Sequence, residues 1–427
     1  MPPRGTLPGG GRHPRRSLLF LILPPFGSFF MRKERLFTPG PTALLPAAQA
    51  AMAAMGLHHR TAEFRQIFSA TRGLLQEFLG TRNDVLMLAS SGTGAMEAAM
   101  ANAISPGSPV VVLSAGKFGE RWEQLAQAFG AQLETVRKPY GEGFSAADIE
   151  GKVANSTVAL AVQATESSTG IRHDIEGLAR AARRANPDIL ILVDAITGIG
   201  TSPIEIDAWD LDYVIGGSQK AVMMQPGLAY LSVSSRAWKA MEASTTPRYY
   251  FDLRRERKSQ AQGETACTPA TGLIAALQAA LQFIAANGGR RALVANAEML
   301  AAATRAAAEA LGLQRFGSGQ PAGALTAIQS PTGMDSGEIV KALRRDFGSV
   351  IANGQGSMKG QLFRVAHLGY YDAADTFSLI AQLELVLAQA GRLERSRLGS
   401  GVRAAQEVWL QHRPSAAAEP VGAAQAR

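Results

Sequence analysis

Six short apolar runs, at residues 85–88, 110–113, 158–162, 189–193, 213–215 and 228–233, punctuate one 150-residue stretch of the chain. Strands buried on both faces read as near-continuous Val, Ile and Leu runs of this length, because neither side of the sheet meets water. Amphipathic patterns at 120–129 and 175–184 lie between them, and such alternation is the rhythm of βαβ units. The spacing predicts an α/β domain with a mostly parallel sheet between helices. A long Ala/Leu helical region follows at 271–311. The pattern then changes to strand, helix, strand, strand, helix between 322 and 390, which predicts a smaller α+β domain. The expected division is a large domain at 31–290 with an N-terminal arm, a small C-terminal domain at 291–395, and a mobile tail at 396–427. The tail is rich in Ala, Pro and Gln and shows no periodicity.

With 427 residues the chain is long enough for a large core, and its net charge of +8 raises the question of nucleic acid. Half of that charge comes from Arg4, Arg12, Arg15 and Arg16. Elsewhere Arg alternates with acids, as at 254–260 and 392–397, without interleaved aromatics to stack on bases. No nucleic-acid partner is expected. Residues 1–30 read as a disordered or mis-called extension with Met31 as a candidate start, or alternatively as a cleaved targeting segment. No apolar run approaches the ~18 residues of a membrane span, so no membrane partner is expected. Cys267 is the single cysteine. It excludes an intrachain disulfide and a cysteine-based zinc site, no metal site is expected, and a reducing, cytoplasmic location fits.

Three places carry candidate chemistry. Ser90-Ser-Gly-Thr-Gly follows the first strand and opens a helix. Its glycines allow backbone amides close approach, and a helix N-terminus favours an anion such as phosphate. Alone it is equally a plain strand-to-helix turn. Asp194 ends the most apolar run, where ligands of a parallel sheet bind. It could hold a cationic heterocycle or a metal, or cap the next helix. Lys220 follows Gly216-Gly-Ser-Gln and precedes the apolar 221–224. A lysine so placed can serve as an amine nucleophile, although a surface lysine reads the same. Together the three offer anchors for the phosphate, ring nitrogen and aldehyde of pyridoxal 5'-phosphate (PLP).

From about residue 36 to 387 the chain resembles the class V, fold-type I PLP-dependent aminotransferases, in particular the serine/alanine:glyoxylate (serine-pyruvate) branch and the related small subunit associated with soluble hydrogenases. The matching pieces are Thr38-Pro-Gly-Pro-Thr, Ser91-Gly-Thr-Gly, Lys117-Phe-Gly-Glu-Arg-Trp, Glu166-Ser-Ser-Thr-Gly, Asp194, Gly217-Ser-Gln-Lys, Thr268-Pro-Ala-Thr and Phe363-Arg-Val. The resemblance implies that Lys220 condenses with the cofactor aldehyde and that Asp194 pairs with the pyridine nitrogen. It implies Gly92, Thr93 and Gln219 as phosphate ligands, Phe118 as the ring stacked on the cofactor, and Ser167 or Ser168 at its phenolic oxygen. Arg364, with Gly40 nearby, corresponds to the substrate-carboxylate site. A homodimer is implied, with Thr265 or Thr268 reaching the neighbouring subunit's phosphate. Many relatives carry His two residues before the Glu of the Glu-Ser motif, whereas this chain has Ala164. His58, His59, Arg60 and Glu63 could line the site or simply form a solvated helix start.

The expected activity is transfer of the amino group of a small amino acid (serine, alanine or similar) to glyoxylate or pyruvate by a ping-pong route. Alternatives are other class V PLP chemistry, of lyase or desulfurase type, and a catalytically idle hydrogenase-associated subunit. A desulfurase needs a thiolate on a mobile loop, and Cys267 is the one thiol available.

Overall fold

Alternate residues of the same central strand face two different cores: Ile191 and Val193 belong to one buried apolar cluster, Leu190 and Leu192 to another. That division follows from the period of two along a strand, and it makes both faces of the sheet interior. Burying each such Ile, Leu or Val contributes roughly 1.5–3 kcal/mol.

The computed structural model describes residues 32–412. Its central sheet has seven strands: β1 (Asp84–Leu88), β2 (Pro109–Ser114), β3 (Gln132–Arg137), β4 (Ala159–Gln163), β5 (Leu190–Asp194), β6 (Tyr213–Gly217) and β7 (Ala229–Val233). Their order is β1-β7-β6-β5-β4-β2-β3. Only β7 is antiparallel to its neighbours. The six expected runs are all strands. β3 was not among them, because this edge strand alternates exposed and half-buried residues and carries Glu134 and Arg137.

Two helices, α1 (Pro46–Ala54) and α2 (Ala62–Leu79), precede β1, and five come between or after the strands: α3 (Gly92–Ala103), α4 (Lys117–Ala128), α5 (Ile175–Ala185), α6 (Ser235–Ala243) and α7 (Leu253–Gln260). The Ala/Leu region forms two helices, α8 (Thr271–Ala286) and α9 (Gly289–Ala310), bent by 79° at the break. Gly288 and Gly289 there hold positive φ, 91° and 69°, which glycine adopts without the penalty a side chain would bring. A second sheet, antiparallel, has the order β8 (Leu325–Gln329), β10 (Leu362–Ala366), β9 (Ala352–Asn353). Around it lie α10 (Ser336–Ala342) and α11 (Ala373–Gln389). The described residues from Glu34 to His412 pack as one unit. Among the described residues no single helix is long and apolar enough to cross a membrane.

The expected tail at 396–427 needs correction. Ser400–His412 is a helix, α12, whose Val402, Ala405 and Val408 pack with Ala303 and Ala307 of α9. Residues three apart share one helix face, so this sparse stripe suffices. The buried carboxylate of Glu384 accepts the N–H groups of Gly399, Gly401 and Val402 at 2.7, 2.7 and 3.2 Å, which supplies the N-terminal capping that no local residue announces. Residues 413–427 and the expected extension at 1–30 lie outside the described residues.

Candidate active site

All strands but β7 run the same way, so their C-terminal ends gather on one edge of the sheet, where a doubly covered sheet leaves a crevice. β1 leads to α3, β2 to α4, β5 ends on Asp194, and Lys220 comes three residues after β6. The topology therefore collects residues spread over 130 positions.

Gly92 opens α3 and lies against the loop after Asp194; a Cβ there would sit 2.4 Å from Ile196 Cδ1. The N-cap residue Ser91 makes no side-chain cap bond, so no hydroxyl covers the first-turn N–H groups of Gly92 and Thr93. Across the turn, Gln219 presents a buried side-chain oxygen without a partner. The uncapped helix start fits an anion, whereas the Gln219 oxygen is an acceptor and would pair with a donor.

Asp194 is buried and accepts the Ile196 N–H at 3.0 Å. Burial pushes its carboxyl up to about 6, opposed by that bond and by the charges of Lys220 and Arg121. Its exposure is 5%, and a carboxylate so buried is stabilised by a cationic neighbour. Lys220 is equally buried, and burial pulls its amine down to about 8; Asp194 opposes this, while Arg364 and Arg121 add to it. The N-terminal arm crosses directly above: the lysine ammonium donates to the Pro39 carbonyl, and Thr42 Oγ1 donates to the Lys220 carbonyl at 3.3 Å. Gly40 must be glycine here, since its φ is 134° and an added Cβ would lie 2.6 Å from Lys220 Nζ.

Arg364, on β10, is 4% exposed. It donates to the Ser167 carbonyl at 2.8 Å and to the Asn353 carbonyl at 3.1 and 2.7 Å. Burial lowers it to about 10, opposed by the Glu166 carboxylate. Glu166 is the buried hub of this wall: it accepts from the N–H groups of Phe118 and Gly119 at 3.0 and 3.2 Å, from Gln163 at 3.2 Å, and from the Ser168 N–H and hydroxyl at 3.1 and 2.5 Å. Burial raises its pKa against those bonds. The Ser168 hydroxyl also accepts the Lys117 N–H at 3.2 Å, so Ser168 is committed to the wall.

Residues 45–368, which hold nearly all of this site, match the family described as aminotransferase class-V. The chain belongs to the class V aminotransferases. It is 38% identical over 384 residues to the "soluble hydrogenase, small subunit" of Synechococcus sp., covering 88% of this chain and 98% of that one. The "L-aspartate--glyoxylate aminotransferase" of Paracoccus denitrificans is 34% identical over 385 residues, covering 88% and 96%. A crystal structure of an aspartate aminotransferase of subgroup IV from Thermus thermophilus superposes with a TM-score of 0.78 at 35% identity, over 83% of this chain and 99% of that chain.

As in other class V aminotransferases, the fold implies PLP, and the residues present fit it. A buried lysine amine, a buried acid able to face a cationic ring nitrogen and an uncapped helix start supply the groups that cofactor needs. The structure gathers Gly40, Gly92, Thr93, Phe118, Ser167, Asp194, Gln219, Lys220 and Arg364 around this crevice. It leaves His58, Arg60 and Glu63 exposed at the start of α2. Thr265 and Thr268 line a small cavity with Leu88 and Tyr250 beside the end of β1. Ala164 is buried at the end of β4. Sequence reasoning assigned no role to Pro39, Arg121, Asn353 or Glu166. Arg121 and Glu166 stood inside quoted motifs; the Pro39 and Asn353 carbonyls carried no signal, since any residue supplies one.

Proposed function

We propose that this PLP-dependent aminotransferase moves the amino group of a small amino acid (serine, alanine or similar) to glyoxylate or pyruvate by a ping-pong route. The observation that carries the reading is the meeting of Lys220, Asp194 and Arg364, from three separate segments, at one end of the sheet. PLP supplies an aldehyde for the amine and an electron sink for the charge left at the substrate Cα.

Gly92, Thr93 and Gln219 would hold the phosphate, and Asp194 would keep the ring nitrogen protonated. The Phe118 ring would stack on the cofactor and fix its plane. Ser167, whose neighbour Ser168 is already engaged, serves the phenolic oxygen. Arg364 takes the substrate carboxylate in a bidentate pair, exchanging carbonyl partners for a charged one, and Gly40 leaves room beside it. With PLP bound, Lys220 would hold and move the substrate Cα proton, as general base and then as acid. The Pro39 carbonyl holds the lysine head within the crevice meanwhile. A homodimer, with Thr265 or Thr268 at the partner's phosphate, and a cytoplasmic location complete the reading. The relatives named for aspartate and serine transfer to glyoxylate support the acceptor class.

A half-reaction screen tests the donor. Serine, alanine or a similar small amino acid, added singly to the PLP form, converts the aldehyde absorbance to that of the amine form, and glyoxylate or pyruvate reverses it. A PLP-loaded protein that converts with no amino acid overturns the reading and favours an idle subunit.

The depressed lysine gives a pH signature. Only the neutral amine attacks an aldehyde, so the rate at which apoenzyme takes up PLP rises with pH through about 8 and levels above it. Asp194→Asn removes the charge that holds the proton on Lys220, and the midpoint moves to lower pH. A midpoint near the ordinary lysine value, followed by absorbance, would contradict this.

A further inference from the structure

We propose that Arg121, to which neither the motifs nor the family resemblance assigned a role, is the cation that binds the cofactor's phosphate; this rests on the PLP reading above. Three cations converge on the crevice. Arg364 sits on β10, bonded to the carbonyls of Ser167 and Asn353. Lys220 points at Pro39 and is required for the aldehyde. Arg121, on α4, is the one bonded to the phosphate turn: its Nη1 donates to Thr93 Oγ1 at 3.1 Å.

The charge balance needs it. A phosphate carries up to two negative charges, and a helix start offers only about half a positive one. Asp194 lies close enough for its carboxyl to respond to Arg121, so the crevice already holds one anion in addition to the phosphate. A guanidinium has five N–H donors in a planar fork, of which the Thr93 bond uses one, and that fork matches phosphate oxygens. The placement is also anchored: the Arg121 guanidinium carbon stands 4.8 Å from the centroid of the Phe118 ring, one helical turn earlier on α4. Thr93 on one side and Phe118 on the other hold the fork at the boundary between phosphate turn and stacking ring.

The test compares two aldehydes that differ only in the phosphate. Apoenzyme is titrated with PLP and with pyridoxal, following absorbance; both present the same aldehyde to Lys220, so that contribution cancels. Arg121→Met should weaken PLP by about 10- to 100-fold, the range expected for losing one charged hydrogen-bond partner. Pyridoxal binding should change by no more than about threefold. Arg121→Lys, which keeps the charge and loses the fork, should recover part of the PLP loss. Equal weakening of both aldehydes by either variant would overturn the proposal, because Arg121 would then act on the ring through Phe118 or Asp194. Full retention of PLP affinity would overturn it as well. A wild-type protein that binds neither aldehyde would refute the PLP reading itself. Melting midpoints of the apo variants, matched to wild type, separate these results from misfolding.

Discussion

Lys220→Ala lowers amino transfer by about 10,000-fold or more, the loss expected when one side chain is both the nucleophile for the cofactor and the acid and base at Cα. The variant still folds, since removing an ammonium from a site with 8% exposure leaves the Pro39 carbonyl unpaired but relieves a buried charge. PLP still binds, held by the phosphate turn, Asp194 and Phe118, and small amines added to the buffer recover part of the rate. Single-turnover absorbance measures this; a variant retaining more than about a tenth of wild-type kcat would remove Lys220 from its role.

Arg364→Ala lowers kcat/KM for amino-acid donors by roughly 30-fold to several thousand-fold, the equivalent of about 2–5 kcal/mol for truncating one member of a buried charged pair. The absorbance of bound PLP stays nearly unchanged, because Arg364 sits on the second sheet and is proposed to meet the substrate rather than the cofactor. Arg364→Lys recovers part of the loss: an ammonium cannot reproduce two parallel bonds, and its shorter reach gives up one or both carbonyl partners that hold the guanidinium now. Steady-state kinetics on PLP-loaded, folded variants would contradict the assignment if kcat/KM stayed within a few-fold of wild type.

What could be read from the residues alone was set by how local each signal is. β5 reads as a strand because both its faces are interior, so every residue from Leu190 to Val193 is apolar. β3 escaped for the opposite reason: it is the sheet edge, with Gln132, Glu134 and Arg137 turned outward. α12 escaped because its apolar stripe has three small or medium residues and its cap comes from Glu384, sixteen positions upstream of the helix start. The positions of Asp194, at a strand end, and Lys220, three residues beyond one, were legible because each is as close to its strand in sequence as in space. Glu166 and Arg121 were not. The value of Glu166 lies in reaching the α4 backbone some fifty residues away, and that of Arg121 in meeting Thr93 from another helix. The engagement of Ser168 likewise rests on a long-range bond, from the Lys117 N–H.

The most direct measurement is covalent. Borohydride added to the PLP-loaded protein fixes the cofactor to the amine that holds its aldehyde, and peptide mapping by mass spectrometry then reads which one. With nine lysines in the chain, the account predicts a single labelled peptide, carrying the modification on Lys220. Label on any other lysine, or none in a protein whose absorbance shows bound PLP, would contradict it.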